Sequence, residues 1–385
     1  MSKRKEKSDM LEIFEKFKNG EITGIGKLLG RGAFGEVRDI IFKNKTAAGK
    51  LIKRESNEIT EEEKFSQELR GQNIIKINKI YTKEIKDEWY DLVIMEKAIL
   101  RDLGKLNEFY HGHNLLKLIN EPFDEAAGDN LLRFYSKQII SALEILDRNY
   151  YIHFDLKPEN LLITINLVLK LTDFSLLKKV QDKDNNIKIP GGTPGYLSPE
   201  YYIERNVSPE DARKQDYFAL GSTLFFLKYG FDLLKYKKSE DKIIIANQII
   251  DSLQKNISYI KSQKITDKDF VDFLCSLISY RPKDRPSFDQ IYRNKWLNKD
   301  SDKLEEILYG FENDEDKLIM ELQKNDYLIK KEKDLNINQN YEKDNQNNLN
   351  QEEKEKIKIS LENKKKNDNN PCRFRFKKKK KQAIE

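Results

Sequence analysis

The tightest constraint on this chain is one octet, His153-Phe154-Asp155-Leu156-Lys157-Pro158-Glu159-Asn160, followed by two apolar triplets and then Thr172-Asp173-Phe174-Ser175. Three carboxylates, a lysine and an amide stand there at short, fixed spacings. The plain alternative is an acidic loop followed by an unrelated acidic turn. Two further motifs upstream weigh against that alternative.

The first is Gly30-Arg31-Gly32-Ala33-Phe34-Gly35-Glu36-Val37. Gly30, Gly32 and Gly35 let backbone amides approach phosphate oxygens without side-chain obstruction. Alone the pattern also fits a glycine-bearing hairpin. Because the glycines sit between two strand-like stretches and open no helix, a flap over phosphates fits better than a dinucleotide fold. The second is Ala48-Gly49-Lys50 on the next strand, where alternation puts Ala48 and Lys50 on one face. The alanine suits a flat ring and the ammonium suits phosphates, and Glu62 in the following helix is placed to hold Lys50 by an ion pair.

Taken together, these motifs resemble the eukaryotic protein kinase family, serine/threonine type, over roughly residues 23–297. Asp155 and Asn160 have the spacing of H-R-D-x-x-x-x-N, and Asp173-Phe174 stands where D-F-G is expected. The resemblance implies an α+β, two-lobed fold with a small β-rich lobe carrying one key helix and a larger α-helical lobe. It implies ATP and Mg²⁺ as cofactors and proteins as substrates. Phosphoryl transfer mainly requires positioned, neutralised charge. Asn160 and Asp173 would then hold the metal, Asp155 the attacking hydroxyl, Lys50 the phosphates, and Lys157 the transferring group.

Further matches follow the same resemblance. Gly192-Thr193-Pro194-Gly195-Tyr196-Leu197-Ser198-Pro199-Glu200 resembles the substrate-side loop, with Thr193 set to hydrogen-bond Asp155 and Lys157. Glu200 is expected to pair with Arg285, and Asp216 to anchor the catalytic loop. Val37 and Ala48 would cover adenine and Leu162 support it. Met95 matches the gatekeeper, Glu96 to Ala98 the hinge, and Asp102 the ribose contact. Glu159 and Asp102 also resemble positions that bind arginine in basophilic kinases.

Three departures stand out. Phe154 replaces the arginine of H-R-D, which in regulated kinases neutralises an activation-loop phosphate. Between Asp173 and Thr193 the only hydroxyl is Ser175, which itself replaces the glycine of D-F-G. Activity is therefore expected without activation-loop phosphorylation; the rival reading is a nucleotide-binding pseudokinase scaffold. In the helix, choosing Glu61 over Glu62 moves Phe65 rather than Ser66 onto Phe174. Lys53 in place of Lys50 lengthens the hairpin and loses its Ala48 partner.

Strand-like patterns cover Leu28–Gly35, Glu36–Phe42, Ala47–Ile52, Ile77–Tyr81 and Leu92–Met95, with a helical stretch at Glu58–Leu69. Helical periodicity follows at Leu131–Leu146, Asp216–Leu227, Lys242–Leu253 and Phe270–Ile278. This divides the chain into an N-terminal extension (1–22), a small lobe (23–95), a hinge (96–98) and a large lobe (99–297). A possible helical extension (298–330) follows, with Leu304, Ile307, Leu308 and Phe311 at helical spacing. The low-complexity tail (331–385) is expected to be disordered.

With 71 basic and 65 acidic residues among 385, a net charge of +6 excludes a uniformly basic nucleic-acid coat. Cys275 and Cys372 are too far apart in sequence, and too poor in histidine partners, to suggest a disulfide framework or zinc site. His111 and His113 alone supply too few ligands for a metal. No apolar run reaches bilayer length, so an intracellular protein, cytoplasmic or nuclear, is expected. In the tail, Arg373 to Lys381 forms a basic cluster suited to import machinery, acidic lipid or nucleic acid.

Overall fold

The computed structural model describes residues 21–299, apart from 33–34, 55–57, 59, 86, 99–101, 105–124, 165–167, 204–205, 238–241 and 264–266. The glycine-loop tip Ala33-Phe34, the His111/His113 pair, the N-terminal extension before residue 21, the spacing at 302–330 and the basic tail lie outside the described residues.

The first lobe is a five-stranded antiparallel sheet in the order β1-β2-β3-β5-β4. Its strands are β1 (Ile22–Gly32), β2 (Gly35–Phe42), β3 (Lys45–Arg54), β4 (Ile77–Ile85) and β5 (Glu88–Met95). The alternation of a pleated strand sorts the side chains onto two faces. Ile40, Ala47, Leu51, Leu92 and Ile94 pack with Ile22 and Phe42 into one cluster. The opposite face carries the cross-strand rows Val37–Lys50–Val93 and Asp39–Ala48–Met95. Lys43 and Asn44 close the β2–β3 hairpin with φ of 50° and 61°, the left-handed pair whose twist matches the flanking strands. β4 and β5 extend beyond the apolar runs because Lys83 and Glu84 stay exposed on a hairpin arm.

Helix α1 (Glu61–Glu68) is shorter than its periodicity suggested. The Thr60 side chain accepts from the Glu63 amide at 3.2 Å, and three glutamates fill the first turn, where the helix dipole favours negative charge. This cap fixes which face turns inward: Glu62 and Phe65, three apart, are both buried.

The second lobe is helical, with α2 (Glu125–Arg148), α3 (Pro199–Ile203), α4 (Pro209–Tyr229), α5 (Lys242–Ser262), α6 (Lys268–Leu277) and α7 (Phe288–Tyr292). Between α2 and α4 the chain forms short antiparallel pairs: β6 (Tyr151–Ile152) with β9 (Lys178–Lys179), β7 (Leu161–Ile163) with β8 (Leu169–Leu171), and β10 (Ile187–Lys188) with β11 (Asn206–Val207). Ser208 caps α4, Pro209 opens it and Gly230 ends it at φ 77°. The apolar run Phe218 to Leu227 lies in this buried helix. Among the described residues, no helix is long and apolar enough to cross a membrane. The architecture is thus α+β and two-lobed.

One buried ion pair braces the second lobe. Arg285 donates to both carboxylate oxygens of Glu200 at 2.6 and 2.7 Å and to the carbonyls of Ser279, Tyr280 and Lys214. Desolvating two charges is costly, and the planar fork offsets that cost by filling the guanidinium's hydrogen-bond sites.

Candidate active site

The octet becomes a loop pinned from below. The Asp216 side chain, buried in α4, accepts from the amides of His153 at 2.7 Å and Phe154 at 3.0 Å. Burial pushes the Asp216 carboxyl above its usual range, against the opposing pull of His153 and these two amides. Phe154 takes a left-handed φ of 63° that turns the chain sharply. His153 is fully buried; its Nδ1 accepts from the Asp155 amide and its Nε2 contacts the Thr172 carbonyl at 3.0 Å. That contact ties the octet to the Thr172-Asp173-Phe174-Ser175 stretch.

Asp155 is held on every side. Its Oδ1 accepts from the Thr193 amide at 2.9 Å and the Thr193 hydroxyl at 2.7 Å. Its Oδ2 accepts from Lys157 Nζ at 2.8 Å and Asn160 Nδ2 at 3.1 Å. Lys157 also donates to Thr193 Oγ1 at 2.5 Å. Five residues apart in the motif and far apart in sequence from the loop, Asp155, Lys157, Asn160 and Thr193 therefore form one network.

The second carboxylate faces the small lobe. Asp173, at φ 64°, meets Lys50 Nζ at 2.6 Å and accepts from the Ser175 hydroxyl. Burial works to raise the Asp173 carboxyl, yet the Lys50 charge and hydrogen bond, with the Ser175 hydroxyl, hold it below the usual range. The expected Lys50–Glu62 ion pair is not formed within ion-pair distance; Lys50 takes Asp173 instead. Burial pushes the Glu62 carboxyl up to about 7, against the opposing pull of the Lys50 charge. The alternatives sort by position: Glu61 pairs with Lys64 and Lys53 with Glu88 on exposed surfaces. Both helix readings hold in part, since Glu62 faces inward while Phe65 packs on Phe174 at 4.6 Å. One face of a single helix reaches both.

The remaining candidate positions fall on β1, β2, β3 and β5, on the segment after β5, and on β7. Gly30 and Gly32 end β1, paired with Val37 and Gly35. A Cβ on Gly30 would meet nothing within 4 Å, whereas one on Gly35 would sit 2.0 Å from the Leu51 carbonyl. Ala48 lies opposite Met95 and both are buried. Glu96 donates its amide to the Lys76 carbonyl, accepts from the Lys76 amide, and meets Lys170 Nζ at 3.1 Å. Lys97 meets Asp39 at 2.7 Å, an ion pair without the alignment of a hydrogen bond. Glu96 to Ala98, expected as the hinge, is half-buried. Asp102 is buried and bridges Leu162 through backbone pairing, while Leu162 alternates away from the fully buried Leu161 and Ile163.

These donors suit a hard divalent cation. Both Asn160 amide hydrogens go to Asp155, leaving its side-chain oxygen, with the Asp173 carboxylate, as oxygen ligands of the kind magnesium takes. Two features were missed in the sequence. The Ser175 hydroxyl on Asp173 was open to inference from its two-residue offset; the apolar surroundings of Phe154 carried no local signal.

The chain is similar in sequence to several known protein kinases. "Serine/threonine-protein kinase MRCK alpha" of Homo sapiens is 28 % identical over 217 residues, 53 % of this chain and 11 % of that protein. "Citron rho-interacting kinase" of Rattus norvegicus is 28 % identical over 213 residues, 54 % of this chain and 10 % of that protein. The chain thus spans about a tenth of the length of these two relatives. "Aurora kinase" of Saccharomyces cerevisiae is 29 % identical over 281 residues, 71 % of this chain and 68 % of that protein. A family profile described as "Protein kinase domain" matches residues 24–297, well over half of the chain, and the chain belongs to the protein kinase family.

Proposed function

We propose that this protein is a serine/threonine kinase that transfers the γ-phosphate of ATP to Ser/Thr hydroxyls of protein substrates. The observation that carries this reading is the Asp155 carboxylate, fixed by Thr193, Lys157 and Asn160 at hydrogen-bond distances. A substrate hydroxyl brought to Asp155 is oriented there and gives up its proton to the carboxylate. Lys157, with Thr193, is the pair we assign to steadying the transferring group. Asn160 and Asp173 are the groups that would hold magnesium, which when bound neutralises phosphate charge. Lys50 is assigned to the nucleotide phosphates, with Glu62 behind it. Gly30, Gly32, Gly35, Val37, Ala48, Met95, Glu96, Ala98, Asp102 and Leu162 are assigned to the nucleotide.

Activity is further proposed not to require phosphorylation of the loop between Asp173 and Thr193. Support comes from the absence of any hydroxyl there besides Ser175, and from Phe154 in place of a phosphate-reading arginine. The test is transfer of labelled γ-phosphate from Mg-ATP to generic protein substrates by phosphatase-treated wild type and Asp173→Ala. Signal lost only in the variant, recovered on serine and threonine, is the expected result. Nucleotide-induced thermal stabilisation without transfer would favour a scaffold instead.

A further inference from the structure

The geometry points to Phe154 as a positioning residue, an apolar clamp that sets the loop carrying Thr193 onto Asp155 without a phosphate. This deepens the phosphorylation-independent reading and rests on it. An arginine at this position has to wait for an anion. A phenylalanine needs only apolar neighbours, and the fold supplies them.

Phe154 is 1 % exposed and packs in one cluster with Ile152, Val180, Ile189, Val207 and Ala212. Val180 comes from the outgoing arm of the segment between Asp173 and Thr193, and Ile189 from its returning arm. Val207 and Ala212 belong to β11 and α4. The ring is therefore where both arms of the segment meet the helical lobe. Its backbone is fixed as well: the amide is held by Asp216, and Gly192 runs so close that a Cβ there would lie 2.6 Å from the Phe154 carbonyl. Gly192 immediately precedes Thr193, whose amide and hydroxyl both hold Asp155.

The segment has other fastenings as well. The Val180 amide donates to the Tyr150 carbonyl at 2.7 Å. Arg213 donates to the Val180 carbonyl at 3.2 Å and to Asp182 at 2.6 Å. Lys179 pairs with Glu68 and lies 5.1 Å from the Tyr151 ring. β9 and β10 pair with β6 and β11. None of these contacts calls for an added phosphate. Apolar burial is non-directional and always present, so the clamp holds the segment in one arrangement from the start.

The test compares full-length wild type, Phe154→Leu, Phe154→Ala, Phe154→Arg and Ile189→Ala, all phosphatase-treated. Steady-state transfer of labelled phosphate is measured alongside trypsin cleavage at the exposed Lys178, Lys179, Lys183 and Lys188. The expected result for Phe154→Ala and Phe154→Arg is a fall in kcat on the order of 10- to 100-fold, with KM for ATP changed by less than about twofold. Cleavage in the segment rises in parallel, and Phe154→Leu recovers both. Wild-type kcat and protection in Phe154→Arg or Phe154→Ala overturn the clamp. If those two fail to fold, Ile189→Ala decides: unchanged kcat and cleavage overturn the proposal, and a paired change supports it. Should phosphatase-treated wild type transfer no phosphate, the activity reading fails, and cleavage of wild type against Ile189→Ala still decides the clamp.

Discussion

Lys50 Nζ lies 2.6 Å from Asp173 Oδ1, joining the third strand of the small lobe to the loop that follows β8 in the helical lobe. The two residues are far apart in sequence, and the contact is charged at both ends and mostly withdrawn from solvent. Replacing Lys50 with methionine keeps the stem and removes the charge. Catalytic transfer is expected to fall roughly 10²- to 10³-fold, the usual loss when one preorganised electrostatic group is removed. Labelled phosphate transfer measures it; a variant within about threefold of wild type would contradict the role assigned to Lys50.

Glu62 gives a pH prediction. Its carboxyl is raised from 4.5 to about 7 by burial. The folded state therefore holds a proton that the unfolded state has released between those values. Stability from this group is complete below the unfolded pKa and declines as pH rises through the folded one, by on the order of 3 kcal/mol in total. Glu62→Gln cannot titrate there. Its melting temperature relative to wild type is expected to climb from about pH 5 to about pH 8. A difference that stays flat over that range would refute the assignment.

Much of this fold was legible because its signals are local. The Ala48-Gly49-Lys50 spacing, the glycine hairpin and the octet each place their chemistry through strand alternation or motif offset. What escaped was non-local. The helix question between Glu61 and Glu62 could not be closed from spacing, because Phe174 and the sheet both draw on one helix face. Spacing pairs Lys50 with Glu62, yet Lys50 meets Asp173, 123 residues away in sequence, and the burial that raises the Glu62 carboxyl is a property of the folded chain. Phe154 could be read only as a missing cation. The cluster that gives the ring a place comes from β6, both arms of the loop, β11 and α4, which no sequence window contains.

Arg285 and Glu200 provide a stability test. Both side chains are almost completely buried, and removing one leaves the other charge unpaired in the interior. Arg285→Ala is expected to cost about 3–5 kcal/mol, whereas Arg285→Met combined with Glu200→Leu costs much less, because no charge is then stranded. Equilibrium denaturation of the three proteins distinguishes the cases. Equal losses in the single and double variants would show that packing, and not the stranded carboxylate, sets the cost.

The two ends of the glycine hairpin should respond oppositely to the same added methyl group. At Gly35 the backbone has φ 149° and a Cβ would meet the Leu51 carbonyl at 2.0 Å, so the strand must shift. Gly35→Ala is expected to destabilise the small lobe by about 1–3 kcal/mol. At Gly30 the same methyl meets open space, so stability should stay within about 0.5 kcal/mol of wild type. If Gly30 leaves room for a nucleotide, that methyl occupies part of it, and KM for ATP should rise by about threefold or more, a loss of uniform binding. Thermal melts with and without Mg-ATP, together with steady-state kinetics, separate the two effects. Gly30→Ala with wild-type KM for ATP would remove this glycine from the nucleotide site while leaving the hairpin geometry intact.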